Sequence, residues 1–134
     1  MTGIVFSDLG QAAAFMALAW VQDLLKERLG YKPFPATLNL RPKSAEDVLI
    51  WQRAQDELAG VSLAPAQSGH CKARLFRIEI HAPALGATDK IDGAILLPEV
   101  KDYPKDKIEI VAPMRLKDHL GIRDGDALTL EFRN

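Results

Sequence analysis

Apolar and polar positions alternate most regularly between Lys72 and His81, where Phe76, Ile78 and Ile80 are separated by Arg77 and Glu79. Successive side chains of a strand point to opposite faces, so this period of two predicts a strand with one buried face. The same pattern returns from Ala127 to Phe132, where Leu128, Leu130 and Phe132 alternate with Thr129 and Glu131 behind an Asp124-Gly125 turn. Shorter runs predict strands over Gly3 to Phe6, Thr37 to Leu40, Ile91 to Leu97 (closed by Pro98) and Lys107 to Val111. In the last of these, Ile108 and Ile110 share one face and Glu109 takes the other.

Three segments carry helical signals. Gln11 to Leu29 is rich in Ala and Leu and reads, on propensity, as one long helix, with Lys26 and Arg28 in its last turn and Gly30 ending it. Ser44 and Asp47 resemble a capping box, with Asp in place of the usual Glu or Gln, opening a helix through Val48, Leu49, Trp51 and Leu58. Pro113 suits the first position of a short helix through Met114, Leu116 and Leu120 that Gly121 ends. Pro33 and Pro35 hold their predecessors extended. Ala59 to Gly69 reads as a loop and Ala82 to Lys90 as a turn region. Five or six short strands with two or three helices between them, and neither a long repeat nor a low-complexity linker, predict one domain over residues 1–134: mainly β, a small barrel with helical insertions.

Composition changes this picture little. The 134 residues are 48% hydrophobic, enough for a packed core. Seventeen Lys and Arg against 18 Asp and Glu leave a net charge of −1, which argues against a dedicated nucleic-acid or anionic-membrane binder. A single cysteine, Cys71, excludes an intrachain disulfide and fits a reducing, cytoplasmic setting. Neither a signal peptide nor an apolar run long enough to span a membrane is expected. There is no Walker loop and no GxGxxG. His70, His81 and His119 lack metal-ligand spacing with Cys71, and no local Ser/His/Asp signature is present.

Two segments carry a resemblance. GYKPFPATLNL, from Gly30 to Leu40, and KIDGAILLPEVKDYPKDKIEIVAPMRLKDHLGIRDGD, from Lys90 to Asp126, are similar to the archaeal CTP-dependent riboflavin kinase family, once catalogued as a domain of unknown function. The likeness spans nearly the whole chain and weakens only between Arg41 and Gly69. It implies a six-stranded cradle-loop, riboflavin-kinase-like β-barrel. It implies transfer of the γ-phosphoryl group of CTP to the ribityl 5′-hydroxyl of riboflavin, giving FMN and CDP, assisted by Mg2+. A nucleotide (CTP or CDP) and a flavin-like small molecule are then the partners.

The resemblance also assigns residues. Thr37 and Asn39 match the family's metal-binding pair; both offer neutral oxygens, which suits a magnesium held largely by water and phosphate. Met114, Arg115, Leu116 and Lys117 match a nucleotide-contacting stretch, where a helix start and two cations would meet phosphate. Glu109 matches a flavin-contacting position and is the candidate to accept a hydrogen bond from the acceptor, or to help remove its proton. The family's first nucleotide loop, GxGxG followed by a basic residue, corresponds to Asp8, Leu9, Gly10, Gln11, Ala12 and Ala13, so two of three glycines and the basic residue are replaced. The family runs strand then helix here, which predicts a strand near Ala14 to Leu18 and a helix from about Trp20 to Leu29. Lys101 stands where the family places a small hydroxyl residue beside the flavin nucleotide, and its charge points to a phosphate or carboxylate on the acceptor or product.

Two other functions compete. The replaced glycines favour a non-catalytic flavin- or nucleotide-binding relative. LKDHLGIRDGDALTLEF also resembles swapped-hairpin transcription factors of cradle-loop geometry, but those are short and usually basic, whereas this chain is longer and nearly neutral.

Overall fold

The computed structural model describes residues 1–7, 11–63, 72–83, 86, 88 and 90–133, with residues 11–13 described by their backbone. In chain order the elements are β1 (Thr2–Phe6), α1 (Gln11–Met16), α2 (Ala19–Leu29), β2 (Leu38–Pro42), α3 (Ala45–Glu57), β3 (Val61–Leu63), β4 (Ala73–His81), β5 (Ile91–Pro98), β6 (Ile108–Val111), α4 (Leu116–Leu120) and β7 (Ala127–Phe132).

Six strands form a closed antiparallel barrel in the order β4-β5-β6-β2-β1-β7, with β7 returning to β4. The long β4 makes closure possible. Its second half pairs with β7 from Ile78↔Phe132 to His81↔Thr129, while its first half, Ala73 to Leu75, pairs on the same edge with the short β3. β3 falls within the segment expected to be loop. Only the ladder to β4 makes those three residues a strand, and a non-local pairing leaves no local signature.

The alternation read from the sequence sorts side chains between two cores. Phe76, Ile78 and Ile80 point into the barrel with Val5, Leu40, Ile95, Ile108, Ile110, Leu128 and Leu130. Trp51 of α3 is buried with them, edge-on to Phe76 at 5.4 Å and stacked on Phe132 at 6.0 Å. The opposite faces of β4, β5 and β6 present Leu75, Ala94, Leu96 and Val111 to Met16, Val21, Leu25 and Leu29 of α1 and α2. The barrel is thus filled on the inside and covered in part on the outside.

The region from Gln11 to Leu29 bears out the helix expected from about Trp20 to Leu29, as α2, and corrects the rest. It is not one helix, and Ala14 to Leu18 is not a strand. The Ala-rich run takes its preferred helical state as α1. β1, the preceding strand, already has both edges occupied by β2 and β7. The chain breaks at Leu18, whose ψ of 133° is extended, and α2 follows to Gly30 in the left-handed region at φ 85°. Gln22 secures the joint by donating Nε2–H to the Met16 carbonyl at 2.6 Å. The bend lets Met16 and Val21 enter the same outer core.

α3 begins as the sequence predicts, with Ser44 extended at the N-cap and its Oγ accepting from the Asp47 amide. α4 begins later than predicted. Arg115, not a residue before Pro113, is the N-cap, and the helix is five residues long. The Phe34 amide donates to the Ala112 carbonyl at 2.8 Å, the chain then bends at Pro113 and Met114, and Arg115 is extended before Leu116 starts the helix and enters the core. No helix among the described residues is long and apolar enough to cross a membrane.

Candidate functional site

The site lies on the outer side of the β2–β6 ladder. Leu38 and Leu40 of β2 fill the barrel, so Asn39 points outward, directly opposite Glu109 of β6. Thr37, one residue before β2, reaches the same side and donates its hydroxyl to Glu109 Oε1 at 3.2 Å. Glu109 faces outward, as alternation predicts, yet it is only 6% exposed. It shares its face with Val111 of the outer core and lies opposite Leu96 of β5.

A buried carboxylate needs partners, since desolvating an unpaired charge is costly. Tyr103 donates its hydroxyl to Oε2 at 2.6 Å, and Lys107 Nζ lies 3.9 Å from Oε1. Both residues come from the β5–β6 connection. Neither was singled out as a site residue in the sequence, because nothing in local spacing shows a loop folding back over the strand it precedes. Asn39 Oδ1, by contrast, is buried and accepts no hydrogen bond among the described residues. A buried, unmatched carbonyl oxygen beside a hydroxyl and a carboxylate is an oxygen-donor set that fits a hard divalent cation.

Thr37 also lines a cleft of about 130 Å³ together with Phe34, Ala36, Leu38, Ile110, Ala112, Met114, Arg115, Leu116 and Lys117. The two segments matched to metal and nucleotide therefore meet at one opening, although they are more than seventy positions apart in the chain. The stem of the first loop joins them. Lys117 Nζ donates to Ser7 Oγ at 3.2 Å and to Asp124 Oδ1 at 3.3 Å, and Ser7 Oγ donates to Asp124 Oδ2 at 2.7 Å. The Ser7 hydroxyl, then Lys117, holds the Asp124 carboxyl below its ordinary value. Arg115 is similarly paired with Asp118 at 2.6 Å on the exposed side of α4. Exposed ion pairs are worth at most about 1 kcal/mol, so both cations can exchange a carboxylate for a phosphate at small cost.

Of the first-loop positions, Asp8, Leu9 and Gly10 lie outside the described residues. Gln11, Ala12 and Ala13 form the first turn of α1 rather than an open glycine turn. Lys101 is exposed in the turn after β5, and the lysine beside Glu109 is Lys107. A separate open pocket of about 410 Å³ lies behind this connection, between α3 and the end of β5, and Tyr103, Trp51, Gln55, Leu97 and Val100 are among its walls.

The family model CTP-dep_RFKase, described as a domain of unknown function, DUF120, matches residues 5–132. The chain belongs to this family. Among curated proteins, members from archaea are similar over almost its full length. The riboflavin kinase of Pyrobaculum arsenaticum is 34% identical over 134 residues, covering 98% of this chain and 59% of its own length. That of Archaeoglobus fulgidus is 34% identical over 134 residues, covering 96% and 52%. That of Methanocella arvoryzae is 32% identical over 133 residues, covering 98% and 56%. The chain thus spans between half and two thirds of the length of these relatives. The six-stranded barrel expected from the resemblance is the barrel observed.

Proposed function

We propose that this CTP-dep_RFKase-family chain is a riboflavin kinase, moving the γ-phosphoryl group of CTP to the ribityl 5′-hydroxyl of riboflavin to give FMN and CDP. The observation that carries the reading is the position of Thr37, which lines the cleft that Arg115 and Lys117 line and is hydrogen-bonded to Glu109. Phosphoryl transfer needs charge stabilisation at the phosphates beside an oriented acceptor oxygen, and this arrangement supplies both from one strand end.

In this reading Met114, Arg115, Leu116 and Lys117 bind the polyphosphate. Thr37 and Asn39 would hold a magnesium ion, which when bound neutralises charge on the phosphate oxygens. Glu109 accepts a hydrogen bond from the acceptor hydroxyl and takes its proton as the new P–O bond forms. The β- to γ-phosphate bridge breaks and its oxygen leaves on CDP. Lys101 is assigned to the phosphate of the product. The riboflavin kinases among the relatives support the acceptor.

A second reading, binding of flavin or nucleotide without turnover, is favoured by one observation: α1 begins where the family has its glycine turn. Incubating the protein with riboflavin, Mg2+ and either CTP or ATP, and following FMN by chromatography, decides between them. FMN appearing with CTP is expected. Riboflavin or CDP binding with no FMN under any nucleotide and metal replaces the first reading by the second.

A further inference from the structure

Glu109 is held from both sides, and the two holders belong to different parts of the fold. Oε1 accepts from Thr37 at 3.2 Å, a residue fixed by the start of β2. Oε2 accepts from Tyr103 at 2.6 Å, a residue of the β5–β6 connection. That connection is shaped to deliver the phenol: Tyr103 N–H donates to the Val100 carbonyl and Lys107 N–H to the Pro104 carbonyl, both at 3.3 Å, so one turn precedes and another follows Pro104. Lys107 Nζ lies 6.0 Å from the centre of the Tyr103 ring and 3.9 Å from Oε1, adding charge on the same side.

A glutamate side chain rotates about three bonds, so burial alone does not set where its oxygens point. A phenol at 2.6 Å from a carboxylate oxygen is in the short range of charge-assisted O–H···O⁻ bonds, which are stronger and more directional than neutral ones. A carboxylate offers about four lone-pair sites, so Thr37 and Tyr103 leave room for an acceptor hydroxyl.

We propose that Tyr103 is a positioning residue: its hydroxyl fixes the Glu109 carboxylate in the orientation that meets the acceptor hydroxyl. This rests on the kinase reading of Glu109. In this role Tyr103 does not touch the reacting atoms and acts through Glu109.

The test is a double-mutant cycle on FMN formation with wild type, Tyr103→Phe, Glu109→Gln and the double variant, each also measured for thermal midpoint. Tyr103→Phe keeps the ring and removes only the donor, so the fold is retained. It is expected to lower kcat about tenfold or more, the scale on which small misplacements of a catalytic group act, with KM for CTP unchanged. In the Glu109→Gln background the same change is expected to have no further effect. A Tyr103→Phe variant with wild-type kcat, or an equal loss in both backgrounds, overturns the proposal and leaves the kinase reading intact. Wild-type protein that forms no FMN overturns the kinase reading and this proposal with it.

Discussion

Asn39 and Glu109 stand directly opposite one another across the β2–β6 ladder, and they differ in how they are satisfied. Both oxygens of Glu109 have partners, whereas Asn39 Oδ1 is buried without one. Leaving such an atom unmatched costs roughly 1–3 kcal/mol. A folded chain that retains this cost two residues from Thr37, which lines the cleft, has a place where a ligand is worth more than ordinary packing.

Asn39→Ala is therefore expected to lose metal response more than stability. With CDP present, Mg2+ raises the thermal midpoint of the wild type by mass action. The variant should need on the order of tenfold more Mg2+ for the same rise. Titrating the midpoint against Mg2+ for both proteins checks this, and superimposable curves would remove Asn39 from the metal site.

The start of α3 gives a prediction in pH. Asp47 is held below its ordinary value of 3.8 chiefly by the Ser44 hydroxyl, then by the Thr2 backbone N–H. The unfolded carboxyl titrates near the ordinary value and the folded one lower. The stabilisation is therefore complete above the unfolded value and lost as pH falls through the folded one. Asp47→Asn should be less stable than wild type at neutral pH, and the gap should close below about pH 4. Ser44→Ala should cost about 1 kcal/mol as a lost N-cap. Denaturant midpoints from neutral to acid pH measure both, and a gap that widens on acidification reverses the sign argued here.

How legible these features were in the sequence follows from how local their causes are. β4 and β7 carry their own period of two, and Ser44 caps the helix that starts at Ala45 by accepting from the Asp47 amide three residues on, so each could be read in place. The break at Leu18 could not. Propensity runs through it unbroken, and the bend is set by the packing of Met16 and Val21 against strands that come much later in the chain. The site divides the same way. Alternation put Glu109 on the outward face, and the family strings brought in Thr37, Asn39 and Met114 to Lys117. Burial of Glu109 by Tyr103 and Lys107 is tertiary, and Pro113 misled because the chain only bends at Pro113 and Met114, with the helix starting after the Arg115 cap.

Gly93 tests the wall of the barrel. A Cβ there would lie 2.7 Å from Ile80 Cδ1 and 2.9 Å from the Val111 carbonyl oxygen. The Ile80 methyl can rotate away, but the carbonyl belongs to the β5–β6 ladder that carries Glu109. Gly93→Ala should destabilise by about 1–3 kcal/mol, as overpacking does. A thermal melt unchanged from wild type would show that the ladder yields without cost.

Lys117 separates charge from fold at the nucleotide end of the cleft. Its ammonium bridges Ser7 and Asp124, and it is partly exposed, so Lys117→Ala removes an exposed pair worth at most about 1 kcal/mol of stability. The same change removes a cation from the wall that Thr37 shares. CDP affinity should then fall about tenfold, since a charge-assisted bond to phosphate contributes roughly 1.5–3 kcal/mol. Riboflavin affinity should hold. Rising salt should weaken wild-type CDP binding more than the variant's, because screening acts on the charge that was removed. Calorimetric titrations of both ligands at two ionic strengths read all three quantities. Equal loss for CDP and riboflavin would mean that Lys117 holds the mouth together rather than the phosphate, because only a structural role moves both ligands alike.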